Sequence, residues 1–474
     1  MKTDRRRIGL PVARLPENRQ SLVSTLSMPL PDLFRKLKYA GRYAEASEAI
    51  SIWLERDLPD MLRRRLILEQ ERLRRLPLDY PYDRSAALQR LQKTFPMVDE
   101  PCFDRLEKEG KIDYLIIDGV KRYHIRFAAT MEKDSLIRKA FGLPVKTDND
   151  FLDPMIRTLQ DKGSLSVRIG MKSSVELNPK TFVPGTYRAW LPFPVPCAQQ
   201  SDIVLESGNP QSISPDSAPA CTAYFEQELK APSRFDVAYS YTSTIHYADP
   251  LHAQAPEHEL YPAEKPVCDA DLAEDHIHVR FTPYLCSLAQ DITKDAVTDA
   301  EKAWKIYEFI TTRIHYSFVR DYLLLDDIGE YCALNLRGDC GLQAILFITM
   351  CRICSIPARW QSGLEYSGDS VGSHDWAQFY LPGWGWLFAD CSYGGSAFRA
   401  GSTLRHAFYF GNIDPARMAA NRLFMAELTP NMVTIRRDPC DNQTGEMERL
   451  GADCPLQPSD YERNVEIVQF TVLS

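Results

Sequence analysis

The chain has 474 residues, 44% apolar and 25% charged, the proportions of an ordinary globular protein with room for roughly two to four domains. A formal net charge of −8 and a pI near 5.7 argue against nucleic acid as a partner. No run of about 18 apolar residues exists, so no membrane partner or span is expected.

The N-terminus carries Arg5, Arg6 and Arg7, but Gly9, Pro11 and Arg14 interrupt the apolar stretch behind them. That stretch is too short for an export signal, and a cytoplasmic protein with a flexible tail over 1–29 is expected. Twelve cysteines are scattered along the chain. In a long chain without a visible signal peptide they read as reduced packing residues rather than a disulfide framework.

Residues 30–160 read as a mainly helical domain. Leu33, Leu37, Tyr43, Ala46, Ile50, Trp53 and Leu54 fit a helical hairpin turning at Gly41. A strongly basic helix follows over 59–76, with Arg63, Arg64, Arg65, Arg72, Arg74 and Arg75. It is expected to be a solvated face, with a docking face as the alternative. The run 112–127 reads as a β-hairpin turning at Asp118-Gly119. From 164 to 247 short strands separated by Pro, Gly, Ser and Asn predict a β-sandwich. With the proline-rich linker 248–268 it makes a domain over 161–270. Residues 271–474 read as a mixed catalytic domain. It has helices at 284–293, 298–313 and 340–354, strands at 358–366, 374–381 and 384–391, and an irregular tail closed by a strand-like end. The fold class is multidomain α+β.

The chemistry concentrates in NLRGDCGLQAILFITMCRICSIPARW. Gly338 and Asp339 lead into Cys340, and Leu342, Ile345, Leu346 and Ile353 follow with helical rhythm. Cys340 therefore stands at a helix start, where unsatisfied N–H groups and the positive dipole end favour a thiolate nucleophile. A nucleophile needs a base. In SHDWAQFYLPGWGWLFADCSYGG two strands flank Pro382-Gly383. With the turn centred on Pro382, His374 falls directly opposite Asp390 on one sheet face, Cβ atoms about 5 Å apart. That suits a carboxylate orienting an imidazole. The same register stacks Trp376, Gln378, Tyr380, Trp384, Trp386 and Phe388 on that face.

The order and spacing resemble the transglutaminase-like superfamily, whose core is related to papain-like cysteine proteases. The resemblance rests on Gly338-Asp339-Cys340, Cys351-Arg352 and Ile356-Pro357-Ala358-Arg359. It continues through His374-Asp375-Trp376, Leu381-Pro382-Gly383-Trp384-Gly385-Trp386 and Asp390. It covers roughly 285–395 and implies Cys340 as nucleophile, His374 as base and Asp390 as its orienter. A sandwich before the core is also common in that family. After Asp390 the sequence departs from it, with Cys391-Ser392 where a proline often stands.

These readings predict an enzyme acting on amide or peptide bonds through a thioester, with a peptide, protein or glycopeptide as substrate. Hydrolysis by a peptidase or amidase is favoured over cross-linking, because no calcium-loop motif is present. The alternatives are a protein-glutamine acyltransferase, or an inert multidomain binding protein. No cofactor and no metal are expected. Cys351-x-x-Cys354 has ligand-like spacing but lies within a helix, and His276 and His278 read as surface or core histidines. The Cys340 N–H is one natural oxyanion donor, and Asn335, Tyr316 and Gln343 are candidates for the second. Oligomeric state is open.

Overall fold

The computed structural model describes residues 19–144, 151–275, 277–436, 445–452, 456–457 and 459–473. The first turn of structure is a 3-10 segment, Arg19–Ser27. Its Leu22, Val23 and Leu26 are buried against Leu68, Leu323 and Ile435. The described part of the expected flexible tail is thus packed, and residues 1–18 lie outside the described residues.

The helical region opens with α1 (Asp32–Tyr39) and α2 (Tyr43–Leu54), joined through Gly41 at φ +70°. Next come α3 (Asp60–Asp79), α4 (Arg84–Thr94) and α5 (Glu100–Lys108). The hairpin β1 (Tyr114–Ile117) and β2 (Val120–Tyr123) pairs Ile117 with Val120. Asp118 and Gly119, both at positive φ, form the two-residue turn expected of Asp-Gly. Helices α6 (Phe127–Lys133) and α7 (Ser135–Ala140) follow.

The basic helix α3 overturns the solvated reading. Arg65, Arg72 and Arg75 are buried. Arg72 donates to the carbonyls of Leu323 (2.7 Å) and Leu324 (3.0 Å), and Arg75 to those of Arg436 (2.8 Å) and Ile435 (2.9 Å). Three arginines clasp the rest of the chain, because carbonyls at loop ends need donors once water is excluded.

Helix α8 (Leu152–Lys162) begins the larger unit. Strands β3 (Ser164–Leu177), β4 (Gly185–Pro192), β5 (Gln200–Gly208), β6 (Ser212–Ile213), β7 (Thr222–Leu229) and β8 (Arg234–His246) build the sandwich. Helices α9 (Pro283–Thr293) and α10 (Asp299–Arg313) lead to β9 (His315–Tyr316), α11 (Ile328–Asn335), β10 (Arg337–Gly338) and α12 (Cys340–Ile353). The second sheet region contains β11 (Ala358–Tyr366), β12 (Val371–Leu381), β13 (Gly385–Ala389), α13 (Cys391–Ala400), α14 (Thr403–Phe408), β14 (Phe410–Gly411) and β15 (Arg417–Asn421). Finally β16 (Glu446–Arg449) and β17 (Tyr461–Leu473) return to the sandwich.

The sandwich sheets have strand orders β17-β3-β8-β5 and β16-β4-β7-β6, and the core sheet runs β14-β13-β12-β11-β15. The tail beyond 400 therefore contributes one strand to each of these three sheets and a second, β14, to the core sheet. The expected boundary at 270 does not separate two cores: one continuous apolar cluster runs from Leu152 to Tyr461. The N-terminal helices hold smaller cores of their own, around Phe34 and around Phe103.

Candidate active site

Cys340 is the first residue of α12, and Asp339 caps it, accepting from the Leu342 N–H at 3.3 Å. Tyr322 Oη donates to the same Asp339 oxygen. A Cβ on Gly341 would sit 2.2 Å from Tyr322 Oη, so only glycine lets the tyrosine brace this turn. Within the helix the N–H groups of Cys340 and Gly341 have no carbonyl four residues back, as at any helix start. The strand pair β9–β10 is parallel and sets Tyr316 beside Gly338, two residues before the cysteine.

The Cys340 side chain is partly exposed. Its thiol donates to Asp375 Oδ2 at 3.2 Å, a contact that sequence reasoning missed. Asp375 is the middle residue of the His374-Asp375-Trp376 run and is 2% exposed. Alternate residues of a strand face opposite sides. Phe379 packs against Phe347 of α12, ring centroids 5.6 Å apart, so Asp375 shares the face that α12 covers.

His374 leaves β12 one residue earlier, beyond the end of the β13 pairing. It is 5% exposed, and its Nε2 meets Asp390 Oδ2 at 2.7 Å. The edge of Tyr393 lies against the ring at 5.0 Å, and Trp376 stacks on it at 6.2 Å. Pairing partners in this hairpin run from Ala377 with Ala389 to Leu381 with Gly385. The expected register is therefore shifted, because Pro382, Gly383 and Trp384 all lie in the turn. His374 is diagonal to Asp390 rather than directly opposite. The shift is an even step, so both side chains stay on one face and still meet.

Asp390 caps α13, accepting from the Tyr393 N–H at 2.9 Å and Ser392 Oγ at 3.1 Å. It is also 3.0 Å from Arg417 Nη1. Burial alone would push this carboxyl up. The neighbouring His374 and Arg417 charges overcome that and hold it well below the usual carboxylate range. Arg417, carried on β15, is in turn fixed by Asp414 at 2.7 Å, with its guanidinium over the Tyr393 ring at 4.3 Å. No local signal marked Arg417 in the sequence.

The three oxyanion candidates separate. Asn335 is exposed and donates to the Tyr331 carbonyl at 2.8 Å. Gln343 is buried and spends its amide on the Gly338 carbonyl at 2.9 Å. Tyr316, paired with Gly338, lies within electrostatic reach of the thiol. Burial, then the Cys340 and Asp339 charges, push its phenol well up, so it remains a protonated donor.

The other cysteines of this region differ from Cys340. Burial pushes the Cys332, Cys351 and Cys391 thiols well above their ordinary value, and a buried thiol is a poor nucleophile. Cys354 lies 3.8 Å from Thr293 Oγ1. Among the described residues no histidine, cysteine and carboxylate group is arranged to hold a metal ion. His278 is fully buried against Phe424, with its imidazole pushed down to about 3 by burial and by Arg72. His276 lies outside the described residues.

Residues 286–391 match the family model of the transglutaminase-like superfamily. A solved structure described as a candidate cysteine protease from Cytophaga hutchinsonii is similar, with 15% identity and TM-score 0.43, covering 66% of this chain and 91% of that one. The periplasmic domain of TgpA from Pseudomonas aeruginosa is similar at 16% identity and TM-score 0.26, covering 53% and 95%. No curated protein matches the sequence. Among the described residues no helix is long and apolar enough to cross a membrane.

Proposed function

We propose that the protein is a cysteine hydrolase of amide or peptide bonds, with Cys340 as nucleophile, His374 as general base and acid, and Asp390 as the orienting carboxylate. The observation that carries the reading is the buried His374–Asp390 pair at 2.7 Å on the strand whose next residue holds the Cys340 thiol. Asp390 occupies Nε2, which leaves Nδ1 as the nitrogen to receive the thiol proton.

In the reacting state the Cys340 side chain turns from Asp375 around the strand edge toward the neighbouring His374, and the thiol passes its proton to His374 Nδ1. The thiolate adds to the carbonyl carbon, and the oxyanion takes hydrogen bonds from the first-turn N–H groups and Tyr316. As the C–N bond breaks, His374 returns the proton to the departing amine and a thioester remains. Water, deprotonated by His374, adds to the thioester. The acid leaves and the thiol is restored. An amine in place of water turns the same thioester into a cross-link; the partly open Cys340 side favours water.

The test profiles a peptide and glycopeptide library with wild-type protein and with Cys340→Ala, His374→Ala and Asp390→Asn. Cleavage in the wild type, abolished by Cys340→Ala, is the expected result. Iodoacetamide labelling provides the second readout. Cys340 modified no faster than Cys102 or Cys286 at neutral pH, and unaffected by His374→Ala, would leave a binding protein as the better account.

A further inference from the structure

A cavity of about 560 Å³ lies between the N-terminal helices and the catalytic unit, and Cys340 is not part of its lining. Its volume falls in the range of small-molecule sites. One wall is apolar, including Leu30, Tyr39, Tyr43, Leu73 and Leu324. The other is cationic, with Lys38, Arg65, Arg72, Arg280 and Arg320 facing the carboxylates Glu69 and Asp326.

Not all of those charges are paired directly. Glu69 is fully buried and holds three cations: Lys38 at 2.5 Å, Arg65 at 2.7 Å and Arg72 at 2.7 Å. Asp326 holds Arg72 again, at 2.6 Å. A sixth lining cation, Arg35, is taken by Asp32. Among the described residues Arg280 has no ion-pair or hydrogen-bond partner. Arg320 lies over the Tyr331 ring at 5.4 Å, and its Nε is a buried donor with no acceptor. Lys38, Arg65 and Arg72 are thus matched to Glu69 and Asp326, whereas Arg280, exposed at the rim with the Asp327 carboxylate in electrostatic reach, and the half-buried Arg320 hold no direct counter-ion in this half-open cavity. The buried Arg320 Nε is costly to leave without an acceptor, and an arginine fork matches phosphate and carboxylate oxygens in pairs.

We infer that this cavity is a binding site for a small organic anion, with a phosphate or multiple-carboxylate head between Arg280 and Arg320 and an apolar body on the leucine and tyrosine wall. The site also touches the catalytic helix through the backbone. Arg72 holds the Leu323 and Leu324 carbonyls, and the preceding residue, Tyr322, bonds the Asp339 cap of α12.

The inference stands independently of the chemistry assigned to Cys340. The experiment is isothermal titration of the full chain with inorganic phosphate, phenyl phosphate, pyrophosphate and citrate, each against chloride at matched ionic strength. Saturable binding of at least one is expected, unchanged in Cys340→Ala and weakened about tenfold or more in the Arg280→Gln/Arg320→Gln double variant. Pyrophosphate against citrate distinguishes a phosphate head from a carboxylate head, and phenyl phosphate against inorganic phosphate reads the apolar wall. Thermal unfolding confirms that the double variant is folded. No saturable binding of any probe, or equal binding by the folded double variant, overturns the inference.

Discussion

Replacing Asp390 by Asn separates the two roles assigned to this carboxylate. The amide retains an oxygen for the Tyr393 N–H and Ser392 Oγ, but it removes the charge between His374 at 2.7 Å and Arg417 at 3.0 Å. Losing a charge-assisted hydrogen bond costs about 1.5–3 kcal/mol. Leaving Arg417 with Asp414 as its remaining buried counter-charge raises the total to about 3–5 kcal/mol. For the unit from Leu152 to Leu473 that lowers Tm by roughly 4–8 °C. The amide nitrogen also opposes the Nε2–H tautomer, so peptide cleavage should fall by about 10³-fold or more. Thermal unfolding and iodoacetamide labelling of Cys340 read the two effects apart. Adding Arg417→Met strips the buried Asp414 of its cation as well, so it should lower stability further and restore none of the activity. Asp390→Asn unfolding within about 0.5 kcal/mol of wild type, with an unchanged Cys340 labelling profile, would refute the pairing as the centre of the site.

Asp375→Asn removes the carboxylate that accepts the thiol proton at 3.2 Å. A bond to the neutral form disfavours the charged one, so Cys340 alkylation at neutral pH should accelerate several-fold, and a slower rate contradicts this role. Arg72→Met strips donors from two carbonyls and one cation from Glu69. Urea unfolding should show a loss of about 3–5 kcal/mol, and a loss below about 1 kcal/mol would dismiss α3 as a clasp. Gly363→Ala places a Cβ 1.8 Å from the Met418 carbonyl. It should detach β15, and with it Arg417, at a cost of about 1–3 kcal/mol or more. Hydrogen exchange that leaves 417–421 protected contradicts that. His278 has its folded pKa at about 3, below the ordinary value near 6.5. The unfolded chain therefore binds the extra proton. Its contribution is complete above about pH 6.5 and is lost as pH falls toward 3. His278→Leu should flatten that limb of the stability profile by a few kcal/mol, roughly; an unchanged slope rules out a neutral buried imidazole.

What the sequence determined is short in range. Asp339 before Cys340 fixes a helix start, because a cap and its amide lie three residues apart. Asp118-Gly119 fixes a hairpin, because only such residues adopt two successive positive φ values at low cost. Strand parity keeps His374 and Asp390 on one face whatever even register the turn selects. Tertiary structure alone decided the rest. The turn took three residues and moved the register. Arg417 reached Asp390 only when β15 added to the edge of β11. The arginines of α3 became buried because loop carbonyls from residues 323 to 436 came to meet them. Caps and periodicities are energies between neighbours along the chain. Strand addition, counter-charges and thiol contacts are energies between segments tens to hundreds of residues apart, and these exist only once packing has excluded water and brought them together.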